Sequence, residues 1–259
     1  MAMPIRATLP ATADLAGKRF MRRRSSGSVT ATRIRNFDQA FRLFSPPKER
    51  IRCSRFFPPL FAVSEPIGGA SAVTYEDLTN SLENVEVFDV IGKAIRITDL
   101  WRDRKAVIAF ARHFGCVFCR KRADLLASKK ELMDAAGVAL VLVGPGTVEQ
   151  AKAFVEQTKF EGEVYADPTH SSYDAIKFAY GVLTTFTPSA GKKILELYLE
   201  GYRQDWELSF KKNTVERGGW QQGGIIIAGP GVNNISCIHK DKEAGDDPPI
   251  EDIIKACCQ

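Results

Sequence analysis

The chain has 259 residues and a formal net charge of +5, with 44% hydrophobic and 26% charged residues. These ordinary values exclude collagen-like, coiled-coil and wholly disordered chains. The longest apolar runs, such as Val138 to Val143, are far shorter than the roughly 20 residues that a membrane-spanning helix needs.

The positive charge is concentrated in residues 1–53, which hold twelve Lys and Arg but three Asp and Glu, a net charge of +9. Scattered Ser and Thr and the absence of a long apolar core are typical of an organelle transit peptide. Ile51-Arg52-Cys53 resembles the plastid processing pattern of Ile or Val, any residue, then Ala or Cys. The sequence predicts a chloroplast transit peptide over 1–53, with a mitochondrion as the alternative destination. A disordered basic arm that binds nucleic acid or a membrane is the competing interpretation.

The rest of the chain, 206 residues long, carries 24 basic and 28 acidic residues, enough length for one compact domain. Residues 54–80 are predicted to form a linker because Pro and Gly recur without periodicity. The domain is then expected over 81–259. Its mildly acidic balance gives no bulk electrostatic reason to bind nucleic acid, and we expect neither nucleic acid nor a membrane among its partners.

Strands and helices alternate in the first half of this domain. Alternating residues predict a strand at 85–90 followed by a short strand at 94–97. Continuous apolar runs at 106–111 and 138–143 are typical of buried strands. Between those runs a long helix is predicted to extend to about Ala136 and to end at Gly137. Its apolar side is expected to hold Phe118, Leu125, Leu126, Leu132 and Met133.

The second half is predicted to contain helices at 148–157 and 172–179 and a short strand at 164–167. Apolar residues at helical spacing over 188–222 indicate an insertion of one or two amphipathic helices. Strands at 225–228 and 235–239 flank a turn-rich connection and predict a hairpin, followed by a helix at 249–257. This order predicts an α/β, thioredoxin-like fold, a central mixed sheet flanked by helices, with the insertion before the final hairpin and a C-terminal helix.

Cys116 and Cys119 stand where a buried strand leads into a helix. The N-terminus of a helix offers unpaired N–H groups and about half a positive charge, which stabilise a thiolate. Cations surround the pair in sequence, and such settings lower a thiol pKa from about 8.5 to roughly 3.5–7.5. The spacing lets the second sulfur reach the first, so the pair is predicted to be a redox-active dithiol. The cations are Arg112, His113, Arg120, Lys121 and Arg122.

Two other interpretations of the pair stay open. A structural zinc site needs about four ligands, and the sequence has no second Cys-x-x-Cys. Two inert buried cysteines are the other interpretation. No cofactor or metal is expected. Gly144-Pro145-Gly146 and Gly229-Pro230-Gly231 lack the Lys-Ser/Thr of a phosphate-binding loop and are predicted to be turns.

The remaining cysteines point less clearly to redox chemistry. Cys237 is expected to be a buried small residue in a strand, with a resolving role as the alternative. Cys257 and Cys258 are expected to be surface thiols at a frayed helix end, with an auxiliary redox role as the alternative. Cys53 is expected to end the leader.

Several segments resemble the peroxiredoxin-like 2 group, thioredoxin-fold proteins related to the AhpC/TSA antioxidant domain. The resemblance begins in the strand and turn at 109–119 and continues in Val164-Tyr165-Ala166-Asp167-Pro168. It is most specific in 221–231, in Ile238-His239-Lys240-Asp241 and in Pro248-Pro249-Ile250. Together the matching segments cover roughly 84–256, and they imply the same fold that the periodicity predicts.

The resemblance implies catalytic roles for Cys116 and Cys119 but departs from ordinary peroxiredoxins. Those proteins use a Pro-x-x-x-Thr-x-x-Cys loop; here Cys116 stands at the Thr position, Cys119 at the peroxidatic position and Arg112 at the Pro position. Aligned with thioredoxins instead, Cys116 is the exposed attacking thiol and Cys119 the buried resolver. Helix geometry favours this second assignment. Thioredoxins also place a cis-proline before the facing strand, where this sequence has Gln222-Gly223-Gly224.

The sequence therefore predicts a thiol–disulfide redox protein, with peroxide reduction as the more specific hypothesis. Its expected partners are a thioredoxin- or glutathione-type thiol as electron donor and a peroxide or protein disulfide as substrate. A non-catalytic thioredoxin-fold interaction module, docking through the 188–222 insertion, is the alternative.

Overall fold

A computed structural model describes residues 75–258 and the backbone of residues 52 and 53. Residues 1–51 of the predicted transit peptide and most of the predicted linker lie outside the described residues, whereas Arg52 and Cys53, its last two residues, form a short strand that pairs with Ile235–Lys240. A helix at Tyr75–Leu82 begins inside the range expected to be linker and extends two residues beyond it. Its buried Leu78 and Leu82 form an apolar face that the nearby Pro and Gly residues obscure in the sequence.

The described part of the chain contains eight strands, ten α-helices and two short 3-10 helices. The strands are β1 (Arg52–Cys53), β2 (Glu86–Asp89), β3 (Ala94–Arg96), β4 (Lys105–Phe110), β5 (Val138–Gly144), β6 (Glu163–Ala166), β7 (Gly224–Ala228) and β8 (Ile235–Lys240). The helices are α1 (Tyr75–Leu82), α2 (Val117–Ala127), α3 (Lys130–Ala135), α4 (Val148–Thr158), α5 (Ser171–Ile176), α6 (Val182–Thr185), α7 (Pro188–Leu199), α8 (Trp206–Ser209), α9 (Lys212–Glu216) and α10 (Ile250–Cys258). The 3-10 helices cover Ile97–Trp101 and Gly218–Trp220.

All the strands belong to one mixed sheet of order β1-β8-β7-β4-β5-β6-β2-β3. β4 pairs in parallel with β5 and antiparallel with β7, which forms the hairpin with β8. The four strands β5-β4-β7-β8 give the central arrangement of the thioredoxin fold, and helices cover both faces. The predicted fold is therefore confirmed, and the strand that precedes Cys116 lies at the centre of the sheet.

The sheet separates two apolar layers. Val107 and Ala109 of β4 face the layer that contains Cys116 and Cys119, whereas Ile108 faces the layer that contains Trp101. Because successive strand residues point to opposite faces, a strand buried on both sides has a continuous apolar sequence. This explains why the continuous apolar runs in the sequence are sufficient to predict β4 and β5.

The predicted long helix is wrong in two respects. It breaks into α2 and α3 at Ser128–Lys129, and Leu125 and Leu132, expected on the apolar side, are 39% and 55% exposed. The break changes the rotational phase between the two halves, so one apolar stripe cannot extend along both. Phe118, Leu126 and Met133 are buried as expected.

The segment that separates β6 from β7 contains more helices than the one or two predicted. α6 begins at Val182, before the expected start of the insertion, and α7, α8, α9 and a 3-10 turn follow. We call residues 182–220 the insertion. Within the described part of the chain, none of these helices or the others has the length and hydropathy needed to cross a bilayer.

The Tyr173 hydroxyl of α5 connects the ends of the two central strands. It lies 2.6 Å from the carbonyl oxygen of Ala111 and 3.0 Å from that of Val143. Tyr173→Phe leaves the buried Ala111 carbonyl without this donor, so we expect the free energy of unfolding to fall by about 1–3 kcal/mol. Urea denaturation measures it. Tyr180→Phe, at a half-exposed ring, is the control and should change stability by less than about 0.5 kcal/mol. Equal stability of the two variants would contradict the expectation.

Candidate functional site

The two cysteines lie just beyond the C-terminal end of β4. Cys116 is the N-cap residue of α2, and its backbone N–H donates to the carbonyl of His113 at 3.1 Å, which closes the turn. Cys119 lies in the first turn of the helix. The strand, the turn and the helix therefore bring both sulfurs to the same end of the central sheet, as the sequence predicts.

Cys116 is the more acidic of the two thiols. The Cys119 thiol donates a hydrogen bond to its sulfur, and the charge of Arg112 and the backbone N–H groups of Cys119 and Phe118 also favour the thiolate. Burial opposes these effects, yet the pKa of Cys116 is lowered to about 6. Cys116 is therefore mostly ionised at neutral pH.

Cys119 has the opposite character. Burial, and then the neighbouring Cys116 sulfur, raise the pKa of the Cys119 thiol well above its ordinary range. The backbone N–H of Arg112 donates to the Cys119 sulfur at 3.1 Å. One cysteine is thus a thiolate and the other a protonated thiol, within a single helical turn.

Arg112 is buried and every end of its guanidinium group is occupied. Nε donates to the carbonyl of Gln221 at 3.1 Å, and Nη2 donates to the Thr185 hydroxyl at 3.1 Å and the Gly219 carbonyl at 2.9 Å. Nη1 lies 3.6 Å from the Cys116 sulfur. These contacts aim one N–H group at the thiolate, and the other three hold the guanidinium in that orientation.

The other four sequence-predicted cations do not act in this way. Burial, then the charges of Arg112 and Arg120, lower the pKa of His113 to about 3, so its imidazole is neutral and supplies no positive charge. Arg120 pairs with Asp205, Lys121 with Glu200, and Arg122 with Asp241 and Asp247. The sequence does not indicate which of the five cations points at the sulfur; in the structure Arg112 does so, while acidic residues far away in sequence engage three of the others.

The insertion covers the turn that contains Cys116. The backbone N–H of Asp205 donates to the carbonyl of Gly115 at 3.0 Å, and the side chain of Gln204 accepts from the N–H of Val117 at 2.9 Å. A Cβ at Gly115 would lie 2.5 Å from the Ser209 hydroxyl and 2.7 Å from the Asp205 carbonyl. Only glycine permits this close approach.

Cys116 is consequently 1% exposed and Cys119 4% exposed. The expectation that Cys116 lies nearer solvent is wrong, because the insertion covers the start of α2. The difference in acidity between the two thiols arises because hydrogen bonding and charge outweigh burial at Cys116, whereas burial dominates at Cys119.

Gln222 contributes a buried acceptor that the sequence did not indicate. The hydroxyls of Thr184 and Thr185 both donate to the carbonyl of Gly181, so they can only accept from the Gln222 side chain. Its Nε2 accordingly lies 3.0 Å from the Thr185 oxygen and 3.3 Å from that of Thr184. Oε1 therefore points away from both threonines, and this buried atom has no hydrogen-bond partner among the described residues.

The glycines after Gln222 bring this side chain to the end of β4. A Cβ at Gly223 would lie 2.0 Å from the carbonyl oxygen of Phe110, so the chain crosses directly over the strand end. The cis-peptide found within the described residues joins Gly229 to Pro230, in the connection from β7 to β8. The segment before β7 is thus Gln222-Gly223 without a proline, as the sequence indicated, and it offers the amide side chain of Gln222.

The remaining described cysteines differ from one another. Cys237 is buried in β8, as expected, and is disulfide-bonded, so it is not a free thiol. Cys257 is completely buried, which corrects the expectation of a surface thiol. Among the described residues no group of three or more His, Cys, Asp or Glu side chains could hold a metal ion.

The chain is similar to several known proteins. The family described as AhpC/TSA antioxidant enzyme matches residues 125–243, a segment that begins after the two cysteines. A chloroplastic thioredoxin-like protein AAED1 from Arabidopsis thaliana is 70% identical over 179 residues, which cover 69% of this chain and 72% of that protein. Prostamide/prostaglandin F synthase of Salmo salar is 31% identical, with 69% of this chain and 84% of that protein covered. Peroxiredoxin-like 2C of Bos taurus is 27% identical, with 73% and 82% covered.

Removing the guanidinium should make Cys116 less acidic. In Arg112→Met we expect the Cys116 pKa to rise from about 6 by about one pH unit or more, since an opposite charge has been removed from contact range. Ultraviolet absorbance of the thiolate, taken as the difference from a Cys116→Ser chain, measures it without requiring access to the sulfur. Arg112→Lys keeps the charge and should give a smaller rise.

Lys121→Met is the matched control, because it removes one positive charge from α2 at a side chain that pairs with Glu200. We expect its titration to resemble that of the unaltered protein. Equal shifts in Arg112→Met and Lys121→Met would mean that general charge, not the contact with Arg112, sets the acidity.

Proposed function

The chain belongs to the peroxiredoxin-like family of thioredoxin-fold proteins with an AhpC/TSA antioxidant domain, and from that premise we propose that it reduces hydroperoxides. In this proposal Cys116 is the attacking thiolate and Cys119 is the resolving thiol. The observation that supports it most directly is the guanidinium of Arg112, fixed 3.6 Å from the Cys116 sulfur. An ionised nucleophile beside a positioned donor is the arrangement that thiol chemistry requires.

The reaction proceeds in two steps. The Cys116 thiolate attacks the terminal oxygen of a hydroperoxide, the O–O bond breaks, and the leaving alkoxide takes a proton and departs as the alcohol. Cys116 becomes a sulfenic acid, to which the Cys119 sulfur then adds with loss of water, so that an intramolecular disulfide forms. An external dithiol returns two electrons and two protons and restores both cysteines.

Enclosure of the site favours a hydroperoxide over a protein disulfide as substrate. With Cys116 1% exposed, a protein disulfide reaches the sulfur only after the insertion moves away, whereas a small hydroperoxide needs far less space. The unpartnered Oε1 of Gln222 supplies a buried acceptor, and a hydroperoxide carries one O–H donor. We therefore assign Gln222 to orienting the hydroperoxide, with Arg112 as donor to the oxygen on which charge develops.

The proposed electron donor is a thioredoxin- or glutathione-type thiol, and the proposed compartment is the chloroplast. The Arabidopsis relative is named as chloroplastic, and the basic leader over 1–53 agrees with that destination. The leader itself remains a prediction from composition.

A non-catalytic interaction module is the second candidate function. It is favoured by large apolar side chains that the insertion leaves exposed, including Leu199 and Phe210, because exposed apolar groups are typical of binding surfaces. Such a module needs no ionised cysteine and no disulfide formation, so oxidation experiments distinguish it from the enzyme.

Hydroperoxide should convert Cys116 and Cys119 into a disulfide. After blocking of free thiols and digestion with trypsin, residues 113–120 form one peptide that contains both sulfurs. We expect this peptide to lose two hydrogen atoms on oxidation and to regain them with a dithiol. Cys119→Ser should stop the reaction at the Cys116 sulfenic acid, which a dimedone-type reagent captures. Persistent free thiols at both positions would reject the enzyme and favour the module.

Gln222→Leu should slow oxidation by hydroperoxide without changing the acidity of Cys116. We expect the second-order rate constant to fall about tenfold, equivalent to about 1.4 kcal/mol of lost transition-state stabilisation. In both proteins the rate should rise with pH as Cys116 ionises, around its pKa of about 6, and level off above it. Gln222→Glu, which keeps an oxygen acceptor, tests whether an acceptor restores the rate. A shifted pH midpoint in Gln222→Leu would indicate a structural role instead.

A further inference from the structure

A second pair of cysteines lies far from the site described above. Helix α10 ends in the adjacent residues Cys257 and Cys258, both free thiols, and their sulfurs are 3.3 Å apart. Cys257 is completely buried, whereas Cys258 is partly exposed. The pair thus combines a thiol that solvent can reach with one that it cannot.

The two pairs lie at opposite ends of strand β4. The ammonium group of Lys105, the first residue of β4, donates to the carbonyl of Cys257 at 3.0 Å. The Cys116 turn follows Phe110, the last residue of that strand. Since a strand rises about 3.3 Å per residue, the strand alone separates the two ends by roughly 17 Å. Direct exchange between the two pairs is therefore excluded in the folded state.

The contact between the two sulfurs is unusual for a helix. Successive side chains of an α-helix point about 100° apart, so adjacent cysteines ordinarily diverge. Here both side chains turn toward each other, and the Cys258 sulfur also approaches the Leu132 carbonyl of α3 at 3.9 Å. A disulfide has an S–S distance of about 2.05 Å, so closing the contact requires a movement of a little over 1 Å.

A disulfide between neighbouring residues would be readily reversible. Their Cα atoms are about 3.8 Å apart across a trans peptide, which is shorter than the roughly 4.4–6.8 Å of ordinary disulfides. The ring is therefore strained, and strained disulfides are more easily reduced. We expect such a disulfide to disrupt the last turn of α10 and the hydrogen bond from Lys105 to the Cys257 carbonyl. Reduction would restore both.

We propose that Cys257 and Cys258 form a second redox site, which a hydroperoxide converts into a vicinal disulfide independently of Cys116 and Cys119. The partly exposed Cys258 sulfur attacks the terminal peroxide oxygen, the O–O bond breaks, and the other oxygen takes the thiol proton and leaves as an alcohol, or as water when the oxidant is hydrogen peroxide. The Cys257 sulfur then bonds to the resulting sulfenic acid with loss of water. The two thiols supply two electrons, and the hydroperoxide accepts them.

Burial of Cys257 supports this order of events. Burial, and then the hydrogen bond with Cys258, raise the pKa of Cys257 to about 12. The Cys257 thiol therefore keeps its proton and does not attack first. Closing the ring is expected to unwind the last turn of α10, which holds Cys257 in the apolar layer beside Ile253. Oxidation at this pair therefore loosens the contact of α10 with the sheet.

The test uses the full chain with Cys116→Ser and Cys119→Ser, so that the first pair cannot contribute. After treatment with hydrogen peroxide and blocking of free thiols, trypsin releases residues 256–259, which contain both sulfurs. We expect this peptide to have lost two hydrogen atoms, to carry no blocking group, and to recover with a dithiol. Cys258→Ser, at the partly exposed position, should leave Cys257 reduced.

Two outcomes would overturn the proposal. One is sulfinic or sulfonic acid at Cys258 with Cys257 still blocked as a free thiol, and the other is a disulfide between two chains. If the double variant does not fold, the same peptide from the unaltered chain gives the answer, because residues 113–120 are released separately. In the unaltered chain, a disulfide in residues 256–259 together with free thiols at Cys116 and Cys119 would reject the proposed function and still support the second redox site.

Discussion

The contact between the Arg112 guanidinium and the Cys116 sulfur is the interaction on which the rest of the site depends. Arg112 is buried, and a buried charge is costly unless an opposite charge and hydrogen bonds compensate it. Its hydrogen bonds end on the carbonyls of Gln221 and Gly219, the Thr185 hydroxyl and the Cys116 sulfur. Of these groups only the thiolate carries negative charge, so it is the counter-charge of the buried guanidinium, and the guanidinium in turn favours the ionised form of Cys116.

The fold supplies the precision that this contact requires. Gln221 precedes β7, and Thr185 and Gly219 belong to the insertion, so three separate segments hold one guanidinium. Gly223 lets the segment before β7 cross the end of β4, and Gly115 lets the insertion approach the Cys116 turn. A site assembled in this way is rigid on the sheet side. On the other side, the insertion covers the sulfur through its contacts with Gly115 and Val117.

The sequence predicts the parts of the site that are local and misses those that tertiary contacts create. The Cys116–Cys119 pair at a strand-to-helix junction is recognisable because the buried strand, the turn and the helix are contiguous. Thr185 lies 73 residues beyond Arg112 in the sequence and Gly219 lies 107 residues beyond it. Sequence periodicity does not indicate contacts between residues so far apart. The pair of glycines after Gln222 is the signal that could have indicated a close crossing. Similarly, five neighbouring cations look equivalent until Asp205, Glu200 and Asp241 are seen to engage three of them.

The ion pair also bears on how the oxidised protein would be reduced in the cycle that we propose. Forming the Cys116–Cys119 disulfide removes the thiolate but leaves Arg112 buried without its counter-charge, so the oxidised state loses an interaction that the reduced state keeps. An environment that stabilises the reduced dithiol makes the corresponding disulfide a stronger oxidant. In the proposed cycle, the guanidinium that stabilises the attacking Cys116 thiolate therefore also favours the return of electrons from an external thiol. Loss of Arg112 would accordingly weaken both halves of the proposed cycle, although its side chain contacts only one of the two cysteines.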